Sequence, residues 1–186
     1  MRKLIFAINT SLDGCCEHTK FNPDDDILEH FTQLTSDADT FVYGRKTYEL
    51  MIPYWPDIAK NPTGQRQADI QFARAFDAVK KIIVCSQSLD KAEGNNISII
   101  RTGLRDELLK LKQQEGKNIL TGGVNIPSQL MELGLVDEYH FVIHPIIAGQ
   151  GARLLEGIGL QYGLQLALIG SKTFKNGAVA LRYLKQ

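Results

Sequence analysis

Two short segments of the chain carry the residue types that a phosphate needs. The first, Ile119-Leu120-Thr121-Gly122-Gly123-Val124-Asn125-Ile126-Pro127, runs from an apolar stretch through a glycine pair into a helix start. Glycines let backbone amides approach a ligand with no Cβ in the way. Asn125 is suited to cap the helix and Pro127 to its first turn. A helix N-terminus offers free N–H groups and the positive end of the dipole, which suits a phosphate. The second segment, Gly44-Arg45-Lys46-Thr47, has the same layout. Gly44 permits close approach, the amides and the Thr47 hydroxyl donate, and Arg45 and Lys46 supply charge. It is no P-loop, because the spacing Gly-x-x-x-x-Gly-Lys-Ser/Thr is absent. Either segment alone reads equally as a tight strand-to-helix turn. Together they suggest a dinucleotide held by its phosphates, with Arg45 or Lys46 available for an adenosine 2′-phosphate.

Other reactive residues have plainer readings beside the chemical ones. His140 and His144 share one face of a strand, yet no carboxylate or cysteine stands at the spacing a metal site expects. Cys15-Cys16 reads as packing, or as one thiol lining a pocket. Asp24, Asp25 and Asp26 read as helix-start residues. One of them could instead face a pocket as a proton donor, which requires burial to raise its pKa. Gly149-Gln150-Gly151 has no third glycine to complete a dinucleotide fingerprint and reads as a turn after a strand.

The elements that must position these residues follow from periodicity. Leu4 to Ile8 is a buried-strand run, broken by Ser11-Leu12-Asp13-Gly14. The acidic triplet opens a helix with Ile27, Leu28, Phe31 and Leu34 on one face. Phe41 to Tyr43 is a strand leading into Gly44–Thr47 and a helical Tyr48 to Met51, and Pro53, Pro56 and Pro62 frame a loop containing Trp55. A helix around Ile70 to Phe76 precedes strands at Lys81 to Cys85 and Ile97 to Ile100. Leu104, Leu108 and Leu111 mark the next helix, closed by Gly116, before a strand at Asn118 to Thr121. Ile126, Leu130 and Leu133 mark another helix, with Gly134 at its end, and Tyr139 to Ile147 is a long strand. Lys175-Asn176-Gly177 joins two final strand-like runs as a hairpin. Alternating strands and helices imply parallel units, and the hairpin adds antiparallel strands. The expectation is a three-layer α/β fold with a mixed sheet of about eight strands. Such sheets bind ligands beyond the carboxyl ends of their strands, where both glycine segments fall.

Composition narrows the class. The 186 residues suit a single domain over 1–186 with its own core. Basic and acidic residues balance at 21 each, so no overall field draws in nucleic acid or an anionic membrane. No basic stripe with interleaved aromatics is present, and no apolar run approaches a membrane span. Three cysteines, two of them adjacent, make a poor disulfide framework and point to a reducing cytoplasm.

The ordered set Ser11-Leu12-Asp13-Gly14, Gly44-Arg45-Lys46-Thr47, Val84-Cys85-Ser86-Gln87 and Thr121-Gly122-Gly123 resembles the dihydrofolate reductase fold. Val136-Asp137-Glu138-Tyr139 through His144-Pro145, with Gly149 to Leu155, resembles the branch shared with the reductase domain of bacterial riboflavin biosynthesis. The resemblance implies NADPH as cofactor. It implies that Gly44, Arg45, Lys46 and Thr47 hold the adenosine end, with Ser86 and Gln87 along its 2′-phosphate side. Gly122, Gly123 and Val124 would cradle the pyrophosphate, opposite Gly44–Thr47 across a groove, while Ala7 and Asn9 approach the nicotinamide and the substrate. Folate reductases carry an acid on the first helix, and Asp26 is the nearest match, with Asp25 as its alternative. The implied activity is NADPH-dependent reduction of a small heterocycle or a ribosylamino-pyrimidine. Folate reduction and a non-catalytic NADP-binding protein are the competing readings. Relatives of this branch are typically dimers, and the carboxyl-terminal strands, with the aromatic and branched run Tyr139 to Ile143, predict a two-fold homodimer.

Overall fold

The computed structural model describes residues 1–160 and 163–186. The fold is α/β with a mixed sheet of eight strands. In chain order the elements are β1 (Leu4–Ser11), α1 (Asp25–Ser36), β2 (Ala38–Gly44), α2 (Arg45–Lys60), α3 (Gln67–Asp77), β3 (Lys81–Cys85) and β4 (Ile97–Ile100). They continue with α4 (Leu104–Gln113), β5 (Asn118–Thr121), α5 (Asn125–Glu132), β6 (Glu138–His144), β7 (Leu166–Thr173) and β8 (Val179–Lys185). The chain packs as two compact units, one of Met1–Arg2 and Pro23–Leu120, the other of Lys3–Asn22 and Thr121–Gln186.

In the first unit β4, β3 and β2 run side by side and parallel, with Gly44, Cys85 and Ile100 in register at their carboxyl ends. Phe41, Val42 and Val84 are fully enclosed, as expected of strands covered on both faces. Phe41 stacks obliquely on Phe76 of α3 at 5.2 Å, and Leu108 of α4 is buried. Arg2 is also buried: its guanidinium bonds Asp39 and Thr40, and its Nε donates to Lys117 O. A buried charge is tolerated only when paired in this way.

One expected loop is a helix. Pro53 and Pro56 lie inside α2, which continues to Lys60. Proline in a helix interior removes a hydrogen bond and is disfavoured by about 3 kcal/mol. Packing overrides that preference here. The Trp55 ring meets Phe72 of α3 edge-on at 4.5 Å, and Ile58 is buried.

In the second unit β1 pairs parallel with β6, β6 antiparallel with β8, and β8 antiparallel with β7. Phe6 meets Tyr139 and Phe141 edge-on, and Tyr139 is 1% exposed. Tyr139 and Val142 of β6 are thus covered within their own chain, while Phe141 and Ile143 are half-buried. That strand also ends at His144, short of the expected Ile147, because Pro145 cannot donate to a ladder. The terminal hairpin forms as expected. Phe174 N donates to Ala178 O across Lys175–Gly177, and Gly177 takes the left-handed conformation at φ +87°.

Candidate functional site

Three adjoining strand ends of the first unit concentrate polar groups. Because Gly44, Cys85 and Ile100 are in register, Arg45, Ser86 and Arg101 each follow directly from neighbouring strands. Gly44 is the N-cap of α2, and no side chain caps the helix, so its first amides remain available. Arg45 and Lys46 are exposed, with Arg45 Nε 3.6 Å from Glu49 one turn along, while Thr47 is half-buried. Ser86 Oγ accepts from the amides of Ser88 and Leu89 at 3.2 and 3.1 Å, which leaves its hydroxyl hydrogen to donate. Arg101 reaches over this turn, donating to Gln87 O and Asp90 O at 3.5 and 3.2 Å. The turn is also tied to α2, since Glu93 N donates to Tyr48 Oη at 2.9 Å. Arg101 escapes a reading of the sequence because its relevance depends on the β3–β4 register. Its position immediately after a strand was the available signal.

The acidic triplet divides its labour. Asp24 caps α1, accepting from Ile27 N at 3.0 Å, as helix-start chemistry requires. Asp25 is exposed and lies 3.3 Å from Arg66, whose guanidinium also grips Asp69 through two bonds. Asp26 is half-buried in the first turn of the helix. Of the three, Asp26 is the one that combines partial burial with neither the cap role nor the Arg66 pair.

In the second unit Gly123 adopts φ +86° and turns the chain into α5. Val124, not Asn125, is the N-cap. With the left-handed glycine the helix begins at Asn125, one residue earlier than a side-chain cap at Asn125 would allow. Asn125 is already in the helix and accepts from Gln129 Nε2 at 2.7 Å. Gly122, Gly123 and Val124 are all partly exposed. Ala7 is buried on β1, and Asn9, half-buried on the same face, lies 2.8 Å through Oδ1 from His144 Nε2. The Phe21 ring stacks on that imidazole at 4.6 Å.

Two carboxylates of this unit hold structure. Asp13 accepts from Ser11 Oγ at 2.5 Å and from the amides of Ala148 and Gly149 at 2.9 Å. The Ser11 bond, then those two amides, hold its carboxyl well below the usual carboxylate range. Arg153 closes the clamp through Asp13 O and Oδ2, so Gly149–Gly151 is a fastened turn. Glu138 is buried at the start of β6. Burial would raise its pKa, but hydrogen bonds from Arg182, His140 and Lys3 more than reverse this and lower it to about 2. Burial also lowers the His140 pKa, outweighing the pull of Glu138. His140 is therefore a neutral donor in an ionic cluster. No three metal-ligating side chains converge among the described residues. Burial pushes the thiols of Cys16 and Cys85 up to about 11 and about 12, which makes them poor nucleophiles.

Residues 2–180 match the model of the RibD C-terminal domain family. The chain is 30% identical to uncharacterized protein YyaP of Bacillus subtilis (strain 168), over 98% of its own length and 94% of that protein's. Its fold is shared with the diaminohydroxyphosphoribosylaminopyrimidine deaminase/5-amino-6-(5-phosphoribosylamino)uracil reductase of Thermotoga maritima. That match has a TM-score of 0.69 at 13% identity, covering 100% of this chain and 57% of the other. Dihydrofolate reductase from Enterococcus faecalis, complexed with NADP(H), matches with a TM-score of 0.65 at 14% identity, covering 99% and 96%.

Proposed function

We propose that this chain, which belongs to the RibD C-terminal domain family, uses NADPH to reduce a small heterocycle or a ribosylamino-pyrimidine of the 5-amino-6-(5-phosphoribosylamino)uracil type. Membership supports an oxidoreductase of the riboflavin-pathway reductase family. The single observation that carries the cofactor is the set of in-register strand ends at Gly44, Cys85 and Ile100. They line up the uncapped amides of α2 with Arg45, Lys46, Thr47, Ser86, Gln87 and Arg101, a donor set matched to a phosphate monoester beside a ribose. The similar Enterococcus enzyme is complexed with NADP(H), which supports the same choice. Ala7, Asn9, Gly122, Gly123 and Val124 serve the pyrophosphate and nicotinamide in this reading.

When bound, the cofactor supplies hydride. The protein's tasks are to hold it, orient the acceptor and deliver a proton, for which Asp26 is the candidate. The substrate is a small molecule, the compartment cytoplasmic and the assembly a homodimer through the carboxyl-terminal strands. Titration with NADPH and NADH tests the cofactor, followed by loss of reduced nicotinamide absorbance with a ribosylamino-pyrimidine or a dihydropterin. Tight NADPH binding with turnover of the pyrimidine is expected. Absence of NADPH binding overturns the proposal, and turnover of the dihydropterin alone replaces its substrate.

A further inference from the structure

Asn9, Phe21 and His144 form a small assembly that the phosphate-suited turns do not use. Parallel pairing sets Asn9 against Val142 and Ser11 against His144. Asn9 and His144 are therefore diagonal neighbours on one face of the β1–β6 pair. His144 is buried, and its Nε2 meets Asn9 Oδ1 at 2.8 Å. An amide oxygen only accepts, so Nε2 carries the hydrogen. Phe21 stacks against the imidazole with planes 28° apart. Held by a hydrogen bond and a stacked ring, the imidazole has little freedom to turn. The consequence falls on Asn9. With Oδ1 engaged, its Nδ2 presents two N–H donors from a half-exposed side chain, and no acceptor among the described residues takes them.

We propose that His144 is a positioning residue that fixes the Asn9 amide so that Nδ2 donates to a carbonyl oxygen of a planar, amide-bearing ring. That chemistry occurs in the nicotinamide carboxamide and in the carbonyls of a pyrimidine substrate. The inference rests on the reductase reading. An unrestrained amide offers oxygen and nitrogen alike, whereas a carbonyl needs the nitrogen. Fixing the amide in advance removes an ordering step from binding.

The full chain is compared as wild type, His144→Leu, His144→Gln, Asn9→Ala and the double variant Asn9→Ala/His144→Leu, with NADPH titrations, steady-state kinetics and melting curves. One hydrogen bond contributes about threefold to tenfold in an equilibrium, so His144→Leu raises the NADPH Kd or the substrate KM by about that factor. A change in NADPH Kd assigns the carbonyl to the cofactor. A change in substrate KM at constant Kd assigns it to the substrate. His144→Gln, which keeps a donor, recovers most of the loss, and His144→Leu adds nothing in the Asn9→Ala background. An equal loss in both backgrounds means that His144 acts through packing and overturns the inference, as does an unchanged His144→Leu. Should His144→Leu fail to fold, Asn9→Asp makes the same test by replacing the Nδ2 donor with an acceptor, and wild-type affinity in that variant overturns the inference. A wild type that binds no NADPH removes the reductase reading and this inference with it. A wild type that turns over alongside indifferent variants removes this inference alone.

Discussion

At Gly123 the requirement lies in the backbone. Its φ of +86° is a conformation that disfavours a side chain by about 1–2 kcal/mol, more for a β-branched one. Gly123→Val should raise the NADPH Kd at least about tenfold, since it adds strain and places bulk where the pyrophosphate is proposed to lie. Gly123→Ala should fall between, and melting curves separate lost binding from lost fold. Unchanged affinity in both variants would mean that the pyrophosphate lies elsewhere. The charge at Arg45 and Lys46 is tested differently. A charge-assisted bond is worth about 1.5–3 kcal/mol, so removing both residues should cut the preference for NADPH over NADH at least tenfold, and Arg101→Ala should cut it further. Equal affinity of the wild type for the two cofactors sinks this assignment. The glycine turns are legible in the sequence because turn chemistry is local, whereas Ser86 and Gln87 enter only through the family resemblance. Arg101 is not legible, because a residue's neighbours across strands depend on register. The same holds for Asn9 and His144, which stand 135 positions apart.

Among the elements, those with one strong local signal are the ones the sequence reveals. Strands at Lys81–Cys85, Ile97–Ile100 and Asn118–Thr121 match their apolar runs, and the Asn176-Gly177 hairpin matches its turn chemistry. The second half of α2 is hidden behind Pro53 and Pro56, because the packing of Trp55 on Phe72 is invisible to local propensity. The Glu138 cluster, tying β1, β6 and β8 together, is hidden for a similar reason: Lys3, Glu138, His140 and Arg182 are brought together by strand pairing. It makes a pH prediction. Glu138 has a folded pKa of about 2 against an ordinary 4.5, so its contribution is complete above pH 4.5 and is lost as pH falls toward 2. At 1.36 kcal/mol per pH unit this is about 3 kcal/mol at most, given that Lys3 and Arg182 are half-exposed. His140 is also depressed, below 6.5, so the unfolded chain takes up its proton first and stability begins to fall as pH drops through 6.5. Melting temperatures should therefore decline in two stages on acidification. His140→Phe should remove the upper stage and Glu138→Gln should reduce the lower, which Asp13 shares because its carboxyl is also held below the usual range. A flat profile from pH 7 to 3 would show that the cluster contributes nothing to stability.

For the whole molecule the open question is the free edge of the strand order. β7 stands last in that order, beside β8, and carries Leu168 and Ile169 at 55% and 43% exposure. The most exposed apolar side chains of these strands are therefore on β7, while in β6 Tyr139 and Val142 are buried and Phe141 and Ile143 half-buried. An edge strand with bare apolar side chains is a template for pairing. Two devices against pairing are present: an irregularity in the ladder between Leu168 and Gly170, and the exposed Lys172. Both lie toward the carboxyl half of the strand, leaving Leu166 to Leu168 regular. We therefore expect two copies to associate in two-fold fashion through this region. Light scattering coupled to size exclusion at micromolar concentration should give a mass near twice 20.8 kDa. Leu168→Lys together with Ile169→Lys should return the monomer without lowering its melting temperature by more than the dimer contributed. A wild-type mass of 20.8 kDa would mean that the irregularity and Lys172 manage the edge within one chain.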